Sequence, residues 1–330
     1  MEFATRKSAR RLVIGLVLVG GGLYAGGWYM CRCSARATTE TKPVKIDANN
    51  LRKHITTLAG DIGPRNVFRP DKLRAAAAYI ENEWRAQGHA VSRQVYEVNR
   101  MACANLEVVI PGQQRPAEII VVGAHYDTVD ETPGANDNGT GVAALLELTR
   151  DFPPAARTVK FVAFVNEEPP WFQTELMGSR VYARAARERG DDIRAMLALE
   201  TMGFFRDERG SQHFPSKLFN LFYPDRGNFI AFIADLKSRA VLRRAVAAFR
   251  QRTNFPAECC ATFPQIAGVA WSDHDSFWHE GYRALMITDT APLRYPHYHE
   301  PTDTPDKIDY PRLAQVTDGV AATVTALANE

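Results

Sequence analysis

The sequence predicts a three-layer α/β domain with a partly parallel sheet. Apolar runs that lack polar alternation recur along the chain, as expected of strands covered on both faces. Segments with helical periodicity separate these runs, which is the order typical of α/β folds. The chain has 330 residues, 45% of them hydrophobic, so it can form one large domain with a substantial core.

The first 37 residues form a basic segment followed by an apolar one. The apolar, glycine-rich run from Leu12 to Met30 is 19 residues long, close to the roughly 20 that a membrane-spanning helix requires. It is either an uncleaved signal-anchor with its basic end in the cytoplasm or a signal peptide cleaved after Ala35-Arg36-Ala37. The length of the run favours the anchor. Both alternatives place the rest of the chain outside the cytoplasm.

A polar linker at residues 38–46 precedes the predicted folded domain, residues 47–330. The chain carries a net charge of +2, of which residues 1–37 contribute +5, so the remainder carries −3. This balance excludes a basic nucleic-acid-binding surface on the domain. The sequence does not indicate an oligomeric state.

The first part of the domain is predicted to contain two helices followed by three strands. The helices show apolar residues at helical spacing. Alternation in VYEV and NLEVVI indicates a hairpin, and the unbroken apolar run after it indicates a buried strand. The predicted bounds are 47–59 and 71–87 for the helices, 94–110 for the hairpin and 119–124 for the buried strand.

The second part alternates further helices and strands. Prolines end the first of these helices, and two more prolines keep the segment after the next strand in a loop. Predicted helices are 142–148, 178–187, 235–250, 272–278 and 310–328, and predicted strands are 158–165, 195–199, 229–233 and 284–288.

Acidic and imidazole side chains follow three of the predicted strands. They are His125 and Asp127, Glu167 and Glu168, and Glu200. Strand ends of one sheet lie roughly 5 Å apart, so these groups are expected to converge, with Asp137 at the start of the next helix. Because unneutralised carboxylates would repel one another, cations are expected, and mixed imidazole and carboxylate ligands suit zinc.

Six motifs occur in order along the chain: HYD at 125–127, NDNGTG at 136–141, NEEPP at 166–170, LETMG at 199–203, SDHDSF at 272–277 and YHEPTDT at 298–304. Together they resemble those of the zinc-dependent M28 peptidases, a family of co-catalytic aminopeptidases, and the match runs from about Leu51 to the C-terminus. The resemblance implies an α/β/α sandwich around a mixed, mostly parallel twisted sheet, and a site with two zinc ions.

The resemblance also implies a role for each residue at the matching positions. Asp137 would bridge the two metals. His125 and Glu200 would complete the ligands of one zinc ion, and Glu168 and His299 those of the other. Glu200 departs from the aspartate of many family members.

Three further residues take roles outside the ligand set by the same resemblance. Glu167 would be the general base, because it would bind neither metal. Tyr298 is similar to a family tyrosine that supports the developing oxyanion, and Asp127 to a residue that orients the imidazole of His125.

Each residue also has a simpler interpretation. His125 could be a histidine bonded to backbone in the core, Asp137 a helix N-cap, and Asn166–Glu168 an exposed acidic loop. His297 and His274 compete with His299, but only His299 stands in a Tyr-His-x-x-x-Asp-Thr setting.

The sequence leaves the roles of several neighbouring residues open. Asp273 and His274 are either part of the site wall or a structural pair. Trp171, Phe172 and Trp271 either line a side-chain pocket or pack in the core. Cys259 and Cys260 could share one disulfide with Cys103 or be buried thiols.

These observations predict an extracytoplasmic, membrane-anchored or secreted metallo-aminopeptidase that acts on peptides with a free N-terminus. One alternative is a single-zinc glutaminyl cyclase, whose relatives tend to have Trp before the last histidine ligand, where this chain has Tyr298. The other is a non-catalytic binding ectodomain on the same fold, although relatives of that kind lose ligands and this chain has all of them.

Overall fold

The computed structural model describes residues 26–27 and 46–330. The predicted anchor or signal peptide and the linker therefore lie almost entirely outside the described residues. Within the two described ranges, no helix has the length and hydropathy of a membrane span.

In the described part of the chain, one mixed sheet of eight strands organises the domain, in the spatial order β1-β2-β4-β3-β5-β8-β6-β7. Four neighbouring pairs are parallel: β3 with β4, β3 with β5, β5 with β8, and β6 with β7. The other three pairs are antiparallel. The strands are β1 Val91–Val98, β2 Met101–Ile110, β3 Arg115–His125, β4 Arg157–Phe164, β5 Asp192–Glu200, β6 Ile230–Asp235, β7 Ala257–Thr262 and β8 Ala284–Thr288.

Helices cover both faces of this sheet, which gives three layers. They are α1 Ala48–Ile55, α2 Pro70–Ala86, α3 Thr140–Arg150, α4 Gly178–Arg189, α5 Arg239–Arg252, α6 His274–His279 and α7 Tyr310–Asn329. One face packs against α1, α2, α3, α5 and α7 in the larger core. The other packs against α4 and α6. The predicted fold class is confirmed.

The sequence-based elements differ from the structure mainly around β6 and β7. Strand β7 was not predicted, because Glu258 interrupts its apolar pattern and the strand is short. Helix α5 begins at Arg239 and not at the predicted Asp235. The carboxylate of Asp235 accepts the N–H of Ser238 at 2.8 Å, and this turn delays the helix.

The possible disulfide from Cys103 to Cys259 or Cys260 is not formed. Cys103 is a free thiol. Cys259 is disulfide-bonded, so it is not one of the buried thiols that the sequence also allowed. Burial raises the pKa of the Cys103 thiol, as expected for a cysteine that packs as a small apolar residue.

The strand register brings three chain segments to one edge of the sheet. His125 pairs with Phe164 at the end of β4, and Gly123 pairs with Ala198 two residues before the end of β5. The residues that follow β3, β4 and β5 therefore lie side by side, as predicted for the carboxyl ends of parallel strands.

Candidate metal centre

His125, the last residue of β3, forms one half of the cluster. Its Nε2 atom lies 3.2 Å from Oδ1 of Asp137 and 3.4 Å from Oε2 of Glu200. All three side chains are buried. Glu200 is the last residue of β5, so two strand ends supply two of these groups.

His299 forms the other half. Its Nε2 atom lies 3.2 Å from Oδ2 of Asp137 and 3.2 Å from Oε2 of Glu168. The two oxygens of the Asp137 carboxylate therefore face two different imidazoles. Each imidazole also has a carboxylate of its own, Glu200 beside His125 and Glu168 beside His299.

Glu167 borders the cluster on the His125 side. Its Oε2 atom lies 3.8 Å from Nε2 of His125, a longer separation than those of Asp137 and Glu200. Burial raises the pKa of Glu167 well above its ordinary value, and the negative charges of Glu168 and Glu200 raise it further. Burial and Asp137 likewise raise the pKa of Glu168 to about 7.

The cluster has the atoms that a divalent cation needs. Three overlapping sets have ligand atoms within 4.8 Å of one another: His125, Asp137 and Glu200; His125, Glu167 and Glu168; and Asp137, Glu168 and His299. Four of their buried atoms have no hydrogen-bond partner among the described residues: His125 Nε2, Asp137 Oδ1, Glu168 Oε1 and His299 Nε2. Because unpartnered buried polar atoms are costly and this donor set suits zinc, the residues fit a zinc site.

Asp127 contacts both sides of the cluster through different groups. Its main-chain carbonyl lies 3.3 Å from Nδ1 of His125, and its carboxylate lies 3.7 Å from the same atom. The carboxylate accepts the N–H groups of Glu167 and Glu168, each at 3.1 Å. Asp127 therefore holds the backbone of both glutamates, a role that the sequence did not predict. Its predicted role in orienting the imidazole of His125 stays a prediction.

Two residues that sequence reasoning missed hold the Asp137 segment in place. Asp303 accepts the N–H groups of Asn136 and Asp137 at 2.8 and 3.0 Å. Arg65 donates to the carbonyl groups of Tyr126, Pro133 and Gly134, as the three contacts of its guanidinium show. Asp303 stood in the YHEPTDT motif and could have been singled out there, whereas no local signal marks Arg65.

The segment that carries Asp137 is a wide helical turn, Ala135–Gly139, directly before α3. Asp137 has non-helical backbone angles within it. Among the described residues, the N-cap residue of neither the turn nor the helix that follows it makes a side-chain cap hydrogen bond. Asn138 donates to the carbonyl of Leu199 at 2.7 Å, which ties the turn to the end of β5. Ser272 donates to Oε2 of Glu200 at 2.7 Å and fixes that glutamate in turn.

The remaining predicted residues separate into those at the centre and those away from it. Tyr298 stacks on His299 with ring centroids 3.9 Å apart; burial and the nearby Asp137 raise its pKa. His297 instead contacts Thr302 at 2.8 Å. His274 contacts the carbonyl of Val269 at 2.7 Å, and burial lowers its pKa to about 4.

Asp273 is buried at the wall of the centre. Its two carboxylate oxygens have no hydrogen-bond partner in the described part of the chain. Burial raises its pKa to about 7, and the positive charge of His125 opposes that rise. Asp273 and His274 are therefore not a mutually bonded pair, since His274 bonds elsewhere.

A cavity of about 290 Å³ opens beside the cluster, with Glu200 and Tyr298 at one end. Trp271 lines it, as one interpretation of the sequence proposed. Trp171 packs against the larger core instead. The cavity is mostly apolar, as expected of a small-molecule or side-chain pocket.

Sequence comparison identifies relatives over most of the chain. It is 35% identical over 292 residues to the uncharacterized protein YfbL of Escherichia coli, covering 84% of this chain and 88% of that protein. It is 23% identical over 307 residues to a probable leucine aminopeptidase 1 of Trichophyton verrucosum, covering 86% of this chain and 74% of that protein.

Solved structures show the same fold. The zinc aminopeptidase BSAP of Bacillus subtilis superposes with a TM-score of 0.70 at 16% identity, covering 88% of this chain and 97% of that one. A glutaminyl cyclase of Fimbriiglobus ruber superposes with a TM-score of 0.63 at 19% identity, covering 89% and 99%. At these identities the likeness extends to the fold alone.

The family model described as peptidase family M28 matches residues 105–324. That range includes every residue of the cluster, from His125 at the end of β3 to His299 in the loop before α7. The resemblance found in the sequence motifs is thereby confirmed, as is the expectation of an M28-type hydrolase. The chain belongs to peptidase family M28.

Proposed function

We propose that this chain is a two-zinc aminopeptidase that releases N-terminal residues from peptides. One observation carries the proposal: the two oxygens of Asp137 face His125 and His299, each at 3.2 Å. A carboxylate between two separate imidazole–carboxylate pairs is the arrangement that two cations can share.

The proposed ligands follow from this geometry. His125 and Glu200 would hold one ion, His299 and Glu168 the other, and Asp137 both. Two such ions, when bound, supply a nucleophilic water at neutral pH and polarise the scissile carbonyl.

Glu167 is the proposed general base. Its carboxylate lies at the edge of the cluster, and the N–H of Glu167 is held by Asp127, so the side chain starts from a fixed backbone position. It takes the proton of the attacking water and passes it to the leaving amine, a role typically worth about 10²- to 10⁴-fold. Tyr298 is the proposed donor to the developing oxyanion, and its ring stacks on the proposed ligand His299.

The same acidic cluster supports exopeptidase action. Glu167 and Glu200 are buried, and a free α-ammonium group entering the site would partly neutralise them. A peptide with a blocked N-terminus would leave these carboxylates without that cation, so we expect it to be a poor substrate. The first side chain of the peptide enters the apolar cavity beside Glu200 and Tyr298.

A glutaminyl cyclase is the second candidate, since such an enzyme shares the fold. It would need one zinc ion and would form pyroglutamate. The shared carboxylate of Asp137 and the presence of Tyr298, where cyclase relatives tend to have Trp, favour hydrolysis. A binding module without catalysis is a weaker candidate, because the chain retains all five ligand positions.

Metal analysis combined with two assays tests the proposal. We expect elemental analysis to find two zinc ions per chain, and aminoacyl-fluorophore substrates to be cleaved while their N-acetylated counterparts are not. One zinc ion with cyclisation of a glutaminyl peptide would show the cyclase instead. No zinc and no turnover would leave only the binding module.

The basic and apolar N-terminal segment supports an extracytoplasmic location for the domain. It would hold the enzyme at the membrane if uncleaved, or release it if cleaved. Protease accessibility in intact cells, with and without membrane permeabilisation, tests this location.

A further inference from the structure

The floor of the cavity is one row of residues that crosses four strands. Glu200 of β5 pairs with Thr288 of β8, and Thr288 pairs with Ala231 of β6. Ala231 pairs with Glu258 of β7. Because paired residues of a sheet share a face, all four side chains lie on the cavity side.

Glu258 thus lies opposite the metal centre across the floor. Three strand spacings separate it from Glu200, which places their Cα atoms about 14 Å apart. All four residues of the row line the cavity. A side chain that enters beside Glu200 and runs along the row reaches Glu258 last.

The carboxylate of Glu258 is not occupied by a partner among residues 46–330. Among residues 46–330, no hydrogen bond or ion pair to it is formed. Burial raises the pKa of Glu258, and the positive charge of Arg250 opposes that rise. Arg250 belongs to α5, which packs on the other face of the sheet, and its guanidinium donates to the carbonyl of Ala257 at 2.6 Å.

The rest of the cavity is suited to an aliphatic stem. Phe214, Phe219 and Tyr223 form a stacked aromatic group, with centroids 5.8 to 6.2 Å apart, and all three line the cavity. Ile233 and Met286 add apolar surface to the lining of the cavity. Of the described lining residues, Glu200 and Glu258 alone carry a formal charge.

We propose that Glu258 makes this cavity selective for a basic first side chain, lysine or arginine, whose stem lies against the apolar lining of the cavity and whose cation meets the carboxylate. Long basic side chains commonly bury their methylene groups while their charge reaches a polar partner. The inference rests on the proposed aminopeptidase function, because it takes the cavity to hold the first residue of the substrate.

Lysine and norleucine derivatives provide a matched pair, since norleucine has the same straight stem without the ammonium group. For lysyl- and norleucyl-fluorophores we expect kcat/KM to favour lysine by about 10- to 100-fold, the range for a hydrogen bond to a charged group. Glu258→Gln should remove this preference and leave norleucine turnover within about twofold. Equal loss on both substrates, or no loss on either, would overturn the inference.

The control variant is Glu188→Gln, which makes the same chemical change at an exposed position on α4. It should leave both substrates unaffected. Retained norleucine turnover in Glu258→Gln also shows that this variant folds.

Calorimetric binding of lysinamide and norleucinamide separates this inference from the proposed function, because it requires no turnover. Tighter binding of lysinamide that is lost in Glu258→Gln, without hydrolysis of any substrate, would support the pocket assignment and reject the aminopeptidase. Efficient hydrolysis with norleucine equal to or better than lysine would reject the pocket assignment and support the aminopeptidase.

Discussion

Buried carboxylates at two places in this molecule have different kinds of partner. Glu147 on α3 lies at the interface with α1, where it contacts His54 at 3.2 Å, Arg150 at 2.7 Å and Asn50 at 3.1 Å. At the carboxyl end of the sheet, Asp137 contacts the imidazoles of His125 and His299, and Glu168 contacts that of His299. One oxygen of Asp137 and one of Glu168 have no hydrogen-bond partner in the described part of the chain.

The pKa values of these carboxylates reflect the difference between the two sites. Burial alone would raise the pKa of Glu147, but the hydrogen bonds from His54, Arg150 and Asn50 outweigh it and lower the pKa to about 2. At the other cluster the outcome differs between residues. Burial raises the pKa of Glu168 to about 7. For Asp137 burial is outweighed by the imidazoles of His125 and His299, which lower its pKa. Protein groups neutralise Glu147, whereas the cluster at the end of the sheet is suited to neutralisation by cations from outside the chain.

Asp137→Asn should have the largest effect on zinc content and activity. It removes the shared carboxylate, so we expect elemental analysis to find that most of the zinc is lost and that activity falls to background. Chelator should destabilise the wild-type chain, by ~4 kcal/mol where zinc stands 1,000-fold above its Kd, and should leave the variant unchanged. Full zinc occupancy in the variant would contradict the shared role.

Glu167→Gln should separate catalysis from metal binding within the same cluster. We expect kcat to fall by about 10²- to 10⁴-fold, with zinc content unchanged. Glu168→Gln, one residue further along the chain, is the matched control and should lose zinc. Near-normal kcat in Glu167→Gln, or zinc loss equal to that of Glu168→Gln, would contradict the general-base assignment.

Glu147→Gln should have the smallest effect and leave activity and zinc content unchanged. We expect a loss of about 2 kcal/mol in the free energy of unfolding at neutral pH, since hydrogen bonds to a charged group are lost. The folded-state pKa lies below the ordinary value of 4.5. The stabilisation is therefore present above pH 4.5 and disappears as the pH falls toward about 2.

Urea denaturation of both proteins across this pH range measures that contribution. The difference between wild type and Glu147→Gln should close as the pH falls. A difference that stayed constant would mean that packing, and not charge, holds the α1–α3 interface together.

Much of the fold followed from the sequence because buried strands and amphipathic helices have distinct periods. Strand 284–288 was predicted with the bounds that the structure has. Strand β7 was missed because one inward charge, Glu258, breaks the pattern that identifies a strand. Glu258 departs from the apolar pattern of the strand because it faces a cavity and not a packed core.

The convergence of the cluster was also predictable, because residues that follow parallel strands meet at one edge. The roles assigned to its members stay predictions. The supporting contacts were less accessible to sequence reasoning. The motif at 298–304 contains Asp303, but the main-chain N–H groups that it holds lie 166 and 167 residues away in sequence, and a contact at such a separation has no local pattern.

Arg65 has a consequence for sequence variation. Its guanidinium holds the loop between His125 and Asp137 by carbonyl oxygens, which every residue type carries. The contacts of Arg65 therefore do not depend on the side chains of Tyr126, Pro133 and Gly134. Gly134 is constrained for another reason, because its φ is +68° and an added Cβ would lie 2.3 Å from Thr128. Replacement of Arg65 would remove three contacts to this loop at once and leave Asp303 to hold Asn136 and Asp137.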